Sequence, residues 1–239
     1  MKFRVLLLLF ILVTLWTVAS AEAQTVTVTG TVEVTKSASQ KTAPSNADVA
    51  VWLAPAGEAS PSFPKRKFTL LQKNKTFEPH VLVVPIGSEV DFPNKDPFFH
   101  NVFSLFDGKR FDLGLYEAGT SKALRFDRPG ISFLFCNIHP EMSAVVIALE
   151  TPYYGVSNRS GKISISDVPP GRYVLHVWRE GSSPEALKAL SHPVVVSNDS
   201  SSLGKLSVPD NAALPVTHKN KYGRDYENTT PSGTYNPPQ

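Results

Sequence analysis

The amino-acid sequence predicts an all-β protein built from β-sandwiches. Apolar and polar residues alternate at every second position in Thr25–Val34, which is the period of a half-buried strand. From Lys67 to Leu149 short strand-like runs follow one another, separated by turn residues such as Pro85–Gly87 and Arg128–Gly130. Several short strands at such close spacing are typical of a sandwich or a Greek-key barrel.

The N-terminus has the pattern of a secretory signal peptide over residues 1–23. Lys2 and Arg4 precede an apolar run from Val5 to Trp16, and small residues follow at Ala19–Ala23. The alternative is an uncleaved anchor helix, but such a helix needs about 20 apolar residues and this run is shorter. We therefore expect a periplasmic or secreted protein without a stable membrane span.

The mature chain has little net charge and a single cysteine. Without residues 1–23 it has 22 basic and 20 acidic residues, a net charge of +2. Nucleic-acid-binding domains usually carry a basic patch, so we expect no nucleic acid among the partners. Cys136 has no second cysteine for an internal disulfide, and a metal-ligand role is favoured for it.

The first two blocks of the mature chain are predicted to be strands joined by turns. Residues 24–60 contain predicted strands at Thr25–Val34 and Asp48–Leu53. Residues 66–150 contain seven predicted strands: Lys67–Leu71, His80–Pro85, Glu89–Phe92, Asn101–Leu105, Ser121–Phe126, Gly130–Phe135 and Ser143–Leu149.

The third block, residues 151–208, is also predicted to be mainly β. It opens with a predicted hairpin over Tyr153–Ile165, and an alternating strand follows at Val168–Trp178. Pro184–Leu190 has room for one or two helical turns before two short strands close the block. The polar residues 209–239 are expected to be disordered.

The stretch Phe135–Met142 holds the residues best suited to bind a metal. It places a thiolate, an imidazole and a thioether at the spacing Cys-x2-His-x2-Met, from Cys136 through His139 to Met142. Thioether sulfur is a poor ligand for zinc, magnesium or calcium, so this combination favours copper. A blue-copper centre requires one further histidine. Upstream of the loop the sequence offers His80 and His100.

The segment Phe92–Val102, followed by the Cys-x2-His-x2-Met loop 36 residues after His100, resembles a cupredoxin, and the loop spacing is most similar to that of amicyanin. The resemblance implies a Greek-key β-sandwich over residues 66–150. It implies one type 1 copper ion with four ligands: His100, Cys136, His139 and Met142. Asn101 matches the asparagine that in this family bonds across to the ligand loop and rigidifies it.

A second segment, Ser157–Val177, resembles the carboxypeptidase regulatory-like (transthyretin-like) β-sandwich. Such modules usually open with strands like Val28–Val34 and Val49–Leu53, which here precede the copper block. We therefore expect a second small β-sandwich, split so that residues 24–60 and 151–208 pair around the inserted cupredoxin.

The other histidines are expected to be structural. His80 begins an apolar strand, with a role near copper as the alternative, while His176 and His192 lie in or beside predicted strands. His218, in the tail, could bind metal only weakly. Because no Ser-His-Asp, phosphate-cradling or paired-carboxylate pattern stands out, we do not expect an enzyme.

The expected function is single-electron transfer by one copper ion. The expected partner is a redox protein such as a dehydrogenase, a c-type cytochrome or an oxidase. Two alternatives stay open: a periplasmic copper carrier or scavenger without a redox role, and a metal-free β-sandwich interaction module.

Overall fold

The computed structural model describes residues 24–36, 43–57, 64–105, 108–211 and 219–226. Within these ranges the chain forms strands and one short helix, which confirms the all-β prediction. The predicted signal peptide lies outside the described residues. No helix in the ranges above is long and apolar enough to cross a bilayer.

The described residues form strands β1 to β17 and one helix, α1. In chain order they are β1 (Val26–Thr35), β2 (Ala50–Pro55), β3 (Lys67–Thr69), β4 (Leu71–Lys73), β5 (Thr76–Glu78), β6 (Val81–Pro85), β7 (Ser88–Pro93), β8 (His100–Ser104), β9 (Phe111–Tyr116), β10 (Ser121–Phe126), β11 (Gly130–Phe135), β12 (Ser143–Leu149), β13 (Tyr154–Val156), β14 (Lys162–Val168), β15 (Gly171–Trp178), α1 (Pro184–Leu190), β16 (His192–Val196) and β17 (Ser202–Pro209).

The central strands form two sheets around one core. One sheet has the order β6-β12-β11-β8-β9, and the other has the order β10-β7-β3. Apolar side chains from both sheets fill the space between them, including Phe92, Phe126, Leu134 and Val146. The alternating burial along β7 is the period-two pattern that a sheet with one face on a core requires.

Strands from both ends of the chain form a second pair of sheets. β1 pairs with β14 and β17, and β2 pairs with β13 and β15. The core between these sheets includes Val28, Val51, Ile165 and Leu175. The segments before and after the central strands therefore share both sheets of this sandwich.

A third apolar cluster joins the two sandwiches. Val145 and Ile147 on β12 meet Ala50 on β2 and Trp178 at the end of β15. Because neighbours cover both of its faces, β12 is buried along all of residues 144–149. Four of the five sheets in the described residues thus lie in successive layers, with a core in each of the three spaces between them. The fifth sheet is the two-stranded pair of β4 and β5.

The predicted hairpin over Tyr153–Ile165 is wrong in its pairing. The turn forms, with the Gly161 N–H donating to the Asn158 carbonyl at 2.8 Å. However, β13 pairs with β2 and β14 with β1, so the two strands lie in facing sheets. At Gly155 a Cβ would come within 2.8 Å of the Ser164 carbonyl oxygen, so the close approach of these strands requires glycine.

Part of the segment expected to be disordered makes defined contacts. β17 extends to Pro209, and the Asp210 N–H donates to the Thr35 carbonyl at 2.9 Å. Asp210 also pairs with Arg179 at 3.0 Å. Residues 219–226 contact the loop between β11 and β12. Residues 212–218 and 227–239 lie outside the described part.

Candidate metal centre

The loop between β11 and β12 holds three of the four expected ligands at one end of the central core. Cys136 directly follows β11, and Met142 directly precedes β12. Two backbone hydrogen bonds close the loop: the Cys136 N–H donates to the Met142 carbonyl at 3.3 Å, and the Met142 N–H donates to the His139 carbonyl at 3.0 Å. Met142 is fully buried in the same apolar cluster as Cys136.

His100 reaches this loop because β8 lies beside β11 in the sheet. The Cys136 Sγ lies 3.8 Å from the His100 Nδ1 and 3.6 Å from the His139 Nδ1. One potential ligand atom from each of the three residues lies within 4.8 Å of the others. The fold thus brings His100, Cys136 and His139 together into a cluster that could hold a metal ion.

The separations in this cluster fit a shared metal. Metal–sulfur and metal–nitrogen bonds in proteins are about 2.3 Å and about 2.0 Å, so two atoms bound to one ion lie at most about 4.3 Å apart. Both sulfur–nitrogen separations, 3.8 Å and 3.6 Å, are below this limit.

Burial and oriented N–H groups set the electrostatics of Cys136. Burial raises the pKa of the thiol, while hydrogen bonds from the backbone N–H groups of Asn101, Ile138 and His139 act to lower it. These N–H groups stabilise the thiolate that a metal requires. Burial, together with the nearby His100, lowers the pKa of His139, which keeps its imidazole neutral and able to bind a metal.

Asp96 contacts His100, and the sequence did not predict this contact. Its Oδ2 lies 2.8 Å from the His100 Nε2, and both side chains are buried. The backbone N–H groups of Asn74 and Lys75 also donate to this carboxylate, at 2.6 Å and 2.9 Å. Burial acts to raise the pKa of Asp96, but the three hydrogen bonds outweigh it and lower the pKa overall.

The contact with Asp96 determines which nitrogen of His100 faces the cluster. With Nε2 held by a carboxylate, Nδ1 is left to face Cys136, and the ring orientation is set before any metal binds. The only sequence signal was an aspartate four residues before a candidate ligand, which by itself does not indicate a contact.

Asn101 lies beside the cluster but differs from the family expectation. Its side-chain amide donates to Asp112 on β9 at 2.7 Å. Its Oδ1 is buried without a hydrogen-bond partner, and its backbone N–H is the group that bonds the Cys136 sulfur. In this structure the backbone of Asn101, and not its side chain, makes the contact with the ligand loop.

An aromatic and an apolar side chain lie beside the partly exposed His139. The Phe98 ring lies 5.2 Å from the His100 ring and 5.4 Å from the His139 ring, measured between centroids. Ile138, next to His139, is 43% exposed. His139 is therefore the side of the cluster that faces solvent.

A C-terminal segment crosses the ligand loop. The Tyr226 hydroxyl donates to the Cys136 carbonyl at 2.8 Å, and the Lys221 N–H donates to the Asn137 Oδ1 at 3.0 Å. The Lys221 ammonium also lies 2.8 Å from the Asp112 Oδ2. Residues nearly 90 positions away in sequence thus contact the residues around Cys136.

The other described histidines have different surroundings. The His80 Nδ1 faces the Ser143 carbonyl at 3.2 Å, and its Nε2 lies 2.6 Å from Glu180, so both nitrogens are engaged away from Cys136. His176 stacks on Trp52 at 5.2 Å. His218 lies outside the described residues.

Several solved structures are similar to part of this chain. A purple cupredoxin from Nitrosopumilus maritimus is 21% identical, with a TM-score of 0.32, over 34% of this chain and 99% of its own. A reduced amicyanin variant is 19% identical, with a TM-score of 0.33, over 41% of this chain and 91% of its own.

A copper-containing nitrite reductase from Thermus scotoductus is 23% identical, with a TM-score of 0.34, over 40% of this chain. The chain spans 25% of the length of that reductase. No protein-family model matches the chain, and no curated protein matches it.

Proposed function

We propose that this chain is an exported type 1 (blue) copper protein that shuttles single electrons between redox partners and is not itself an enzyme. The proposed ligands are His100, Cys136, His139 and the axial Met142. One observation carries the proposal: two histidine Nδ1 atoms lie 3.8 Å and 3.6 Å from the only cysteine sulfur of the chain. Thiolate and imidazole together favour copper, and a nearby buried methionine strengthens that preference.

The surroundings of the cluster suit electron transfer better than catalysis. Bound copper would supply a one-electron couple between Cu(I) and Cu(II). Asp96 holds His100, while β11 and β12 hold the loop, so the ligands have little freedom to rearrange between the two states. A site closed by four protein ligands also lacks the open position that catalytic metal centres keep.

Electrons would enter and leave through His139. His100 and Cys136 are fully buried, whereas His139 is partly exposed beside the exposed Ile138. This surface is the proposed docking face for a dehydrogenase, a c-type cytochrome or an oxidase. The flanking sandwich, which we assign to residues 24–60 and 151–208, would support the copper domain, assigned to residues 66–150, through the apolar layer that joins them.

Loading with Cu(II) tests this function directly. The mature protein should develop an intense thiolate-to-copper absorption band that bleaches on reduction and recovers on oxidation. If the protein stays colourless and binds only Cu(I), the proposed function would be copper carriage and not electron transfer. If the protein binds no copper, the remaining hypothesis would be a metal-free interaction module.

A further inference from the structure

Residues 219–226, here named the C-terminal strap, contact the candidate metal centre from outside the central sandwich. Two backbone hydrogen bonds stabilise a turn within the strap. The Asn220 N–H donates to the Arg224 carbonyl at 2.8 Å, and the Gly223 N–H donates to the Asn220 carbonyl at 2.9 Å. The strap therefore presents Lys221 and Tyr226 from a defined backbone.

Two strap contacts hold the first residues of the ligand loop. The Tyr226 hydroxyl bonds the carbonyl of Cys136, and the Lys221 N–H bonds the side chain of the next residue, Asn137. In the first of these bonds the Tyr226 hydroxyl is the donor. Its acceptor is a backbone carbonyl, which cannot take up a proton, so the geometry favours positioning over a tyrosyl redox relay.

A third contact reaches the other side of Cys136. The Lys221 ammonium pairs with one oxygen of Asp112, and the other oxygen accepts from the Asn101 side chain at 2.7 Å. The backbone N–H of Asn101 bonds the Cys136 sulfur. The strap thus acts on Cys136 both through its carbonyl and through the residue that bonds its sulfur.

We propose that the C-terminal strap stabilises the metal centre. Tyr226 and Lys221 are positioning residues that hold Cys136 in place and keep its loop closed. The copper-dependent part of this inference rests on the proposed function. By holding the loop from outside the sheet, the strap slows the opening that exposes the cysteine or releases the metal.

The first experiment needs no metal. Cys136 is fully buried and is the only thiol of the chain, so its alkylation rate in the metal-free mature protein reports opening of the loop. Tyr226→Phe removes one hydrogen bond, and Lys221→Met removes one ion pair. Tyr226→Phe is expected to raise the alkylation rate about two- to tenfold, the range that one net hydrogen bond produces. Lys221→Met is expected to raise it about 1.5- to fivefold, because the ion pair is partly exposed.

Tyr173→Phe is the matched control. Its hydroxyl also donates to a backbone carbonyl, that of Pro169 at 2.7 Å, but it lies in the flanking sandwich. It should leave the alkylation rate unchanged. If Tyr226→Phe and Lys221→Met alkylate no faster than wild type, or no faster than Tyr173→Phe, the strap inference is overturned.

The second experiment uses the copper-loaded protein. Tyr226→Phe should release copper to a Cu(I) chelator about two- to tenfold faster and shift the thiolate-to-copper band, neither of which Tyr173→Phe should do. If wild-type protein takes up no copper, the proposed function is refuted, and the strap inference is then decided by the alkylation rates alone. Normal copper retention and an unshifted band in Tyr226→Phe would refute the strap alone.

Discussion

Replacing Asp96 by asparagine tests how the protein sets the properties of the proposed copper ligand His100. In wild type the Asp96 carboxylate is buried and lies 2.8 Å from the His100 Nε2. The substitution keeps the shape of the side chain but removes its negative charge. A negative charge near the centre stabilises Cu(II) over Cu(I), so its removal is expected to raise the reduction potential.

The size of this effect follows from the distance between the carboxylate and the ligand atoms. The imidazole ring and a metal–nitrogen bond of about 2.0 Å place the carboxylate about 7 Å from a metal bound at Nδ1. At an effective dielectric constant of about 20, the interaction of two unit charges at that distance is about 2.4 kcal/mol. For a one-electron couple this corresponds to about 100 mV.

Redox titration of the thiolate-to-copper band measures the potential. Asp127→Asn is the control, because Asp127 is an exposed carboxylate at the opposite end of β11 from Cys136. Asp96→Asn should raise the potential by roughly 100 mV and Asp127→Asn by much less. An unchanged or lower potential in Asp96→Asn would refute the electrostatic role assigned to this residue.

Three further predictions concern the ligands, the contact between the sandwiches and the apolar layer. Cys136→Ser should abolish the blue band, whereas Met142→Leu should keep copper and shift the potential; complete loss of metal in the latter would exclude a weak axial role. Hydrogen bonding to Glu180 raises the pKa of His80, so this pair should stabilise the fold below pH 6.5 and lose its contribution as pH rises through the raised pKa. Both side chains are over a third exposed, so the pair is worth little. Glu180→Gln should lower the free energy of unfolding in urea by about 0.5 kcal/mol at pH 5.5 and leave it unchanged at pH 9. An equal loss of stability at both pH values would contradict the assignment. Trp178→Ala should lower the free energy of unfolding by about 3–5 kcal/mol, measured in the same way, and a loss below about 1 kcal/mol would show that the layer contributes little.

Local features of the site could be predicted because they depend on short stretches of chain. Cys136, His139 and Met142 lie within seven residues between two strongly patterned strands, so their proximity needs no knowledge of the fold. His100 was predicted from its pairing with this loop through the family resemblance. The structure then brings it within 3.8 Å of Cys136.

Other features could not be predicted because they depend on which strands become neighbours. β9 was missed since Phe111–Tyr116 contains a glycine and shows no clear alternation of buried and exposed residues. The predicted hairpin over Tyr153–Ile165 failed because a short turn can join two strands of one sheet or two strands of facing sheets. The sequence pattern is the same in both cases.

The sequence by itself determined the all-β class and a set of soft ligands, because strand period and ligand type are properties of nearby residues. Only the tertiary structure decided how that set is held. In the structure the Asp96 carboxylate contacts the His100 nitrogen that faces away from Cys136, and the C-terminal strap contacts the ligand loop. Apolar layers also cover both faces of β12. These contacts join residues from separate strands and from the far end of the chain, and folding alone brings such residues together.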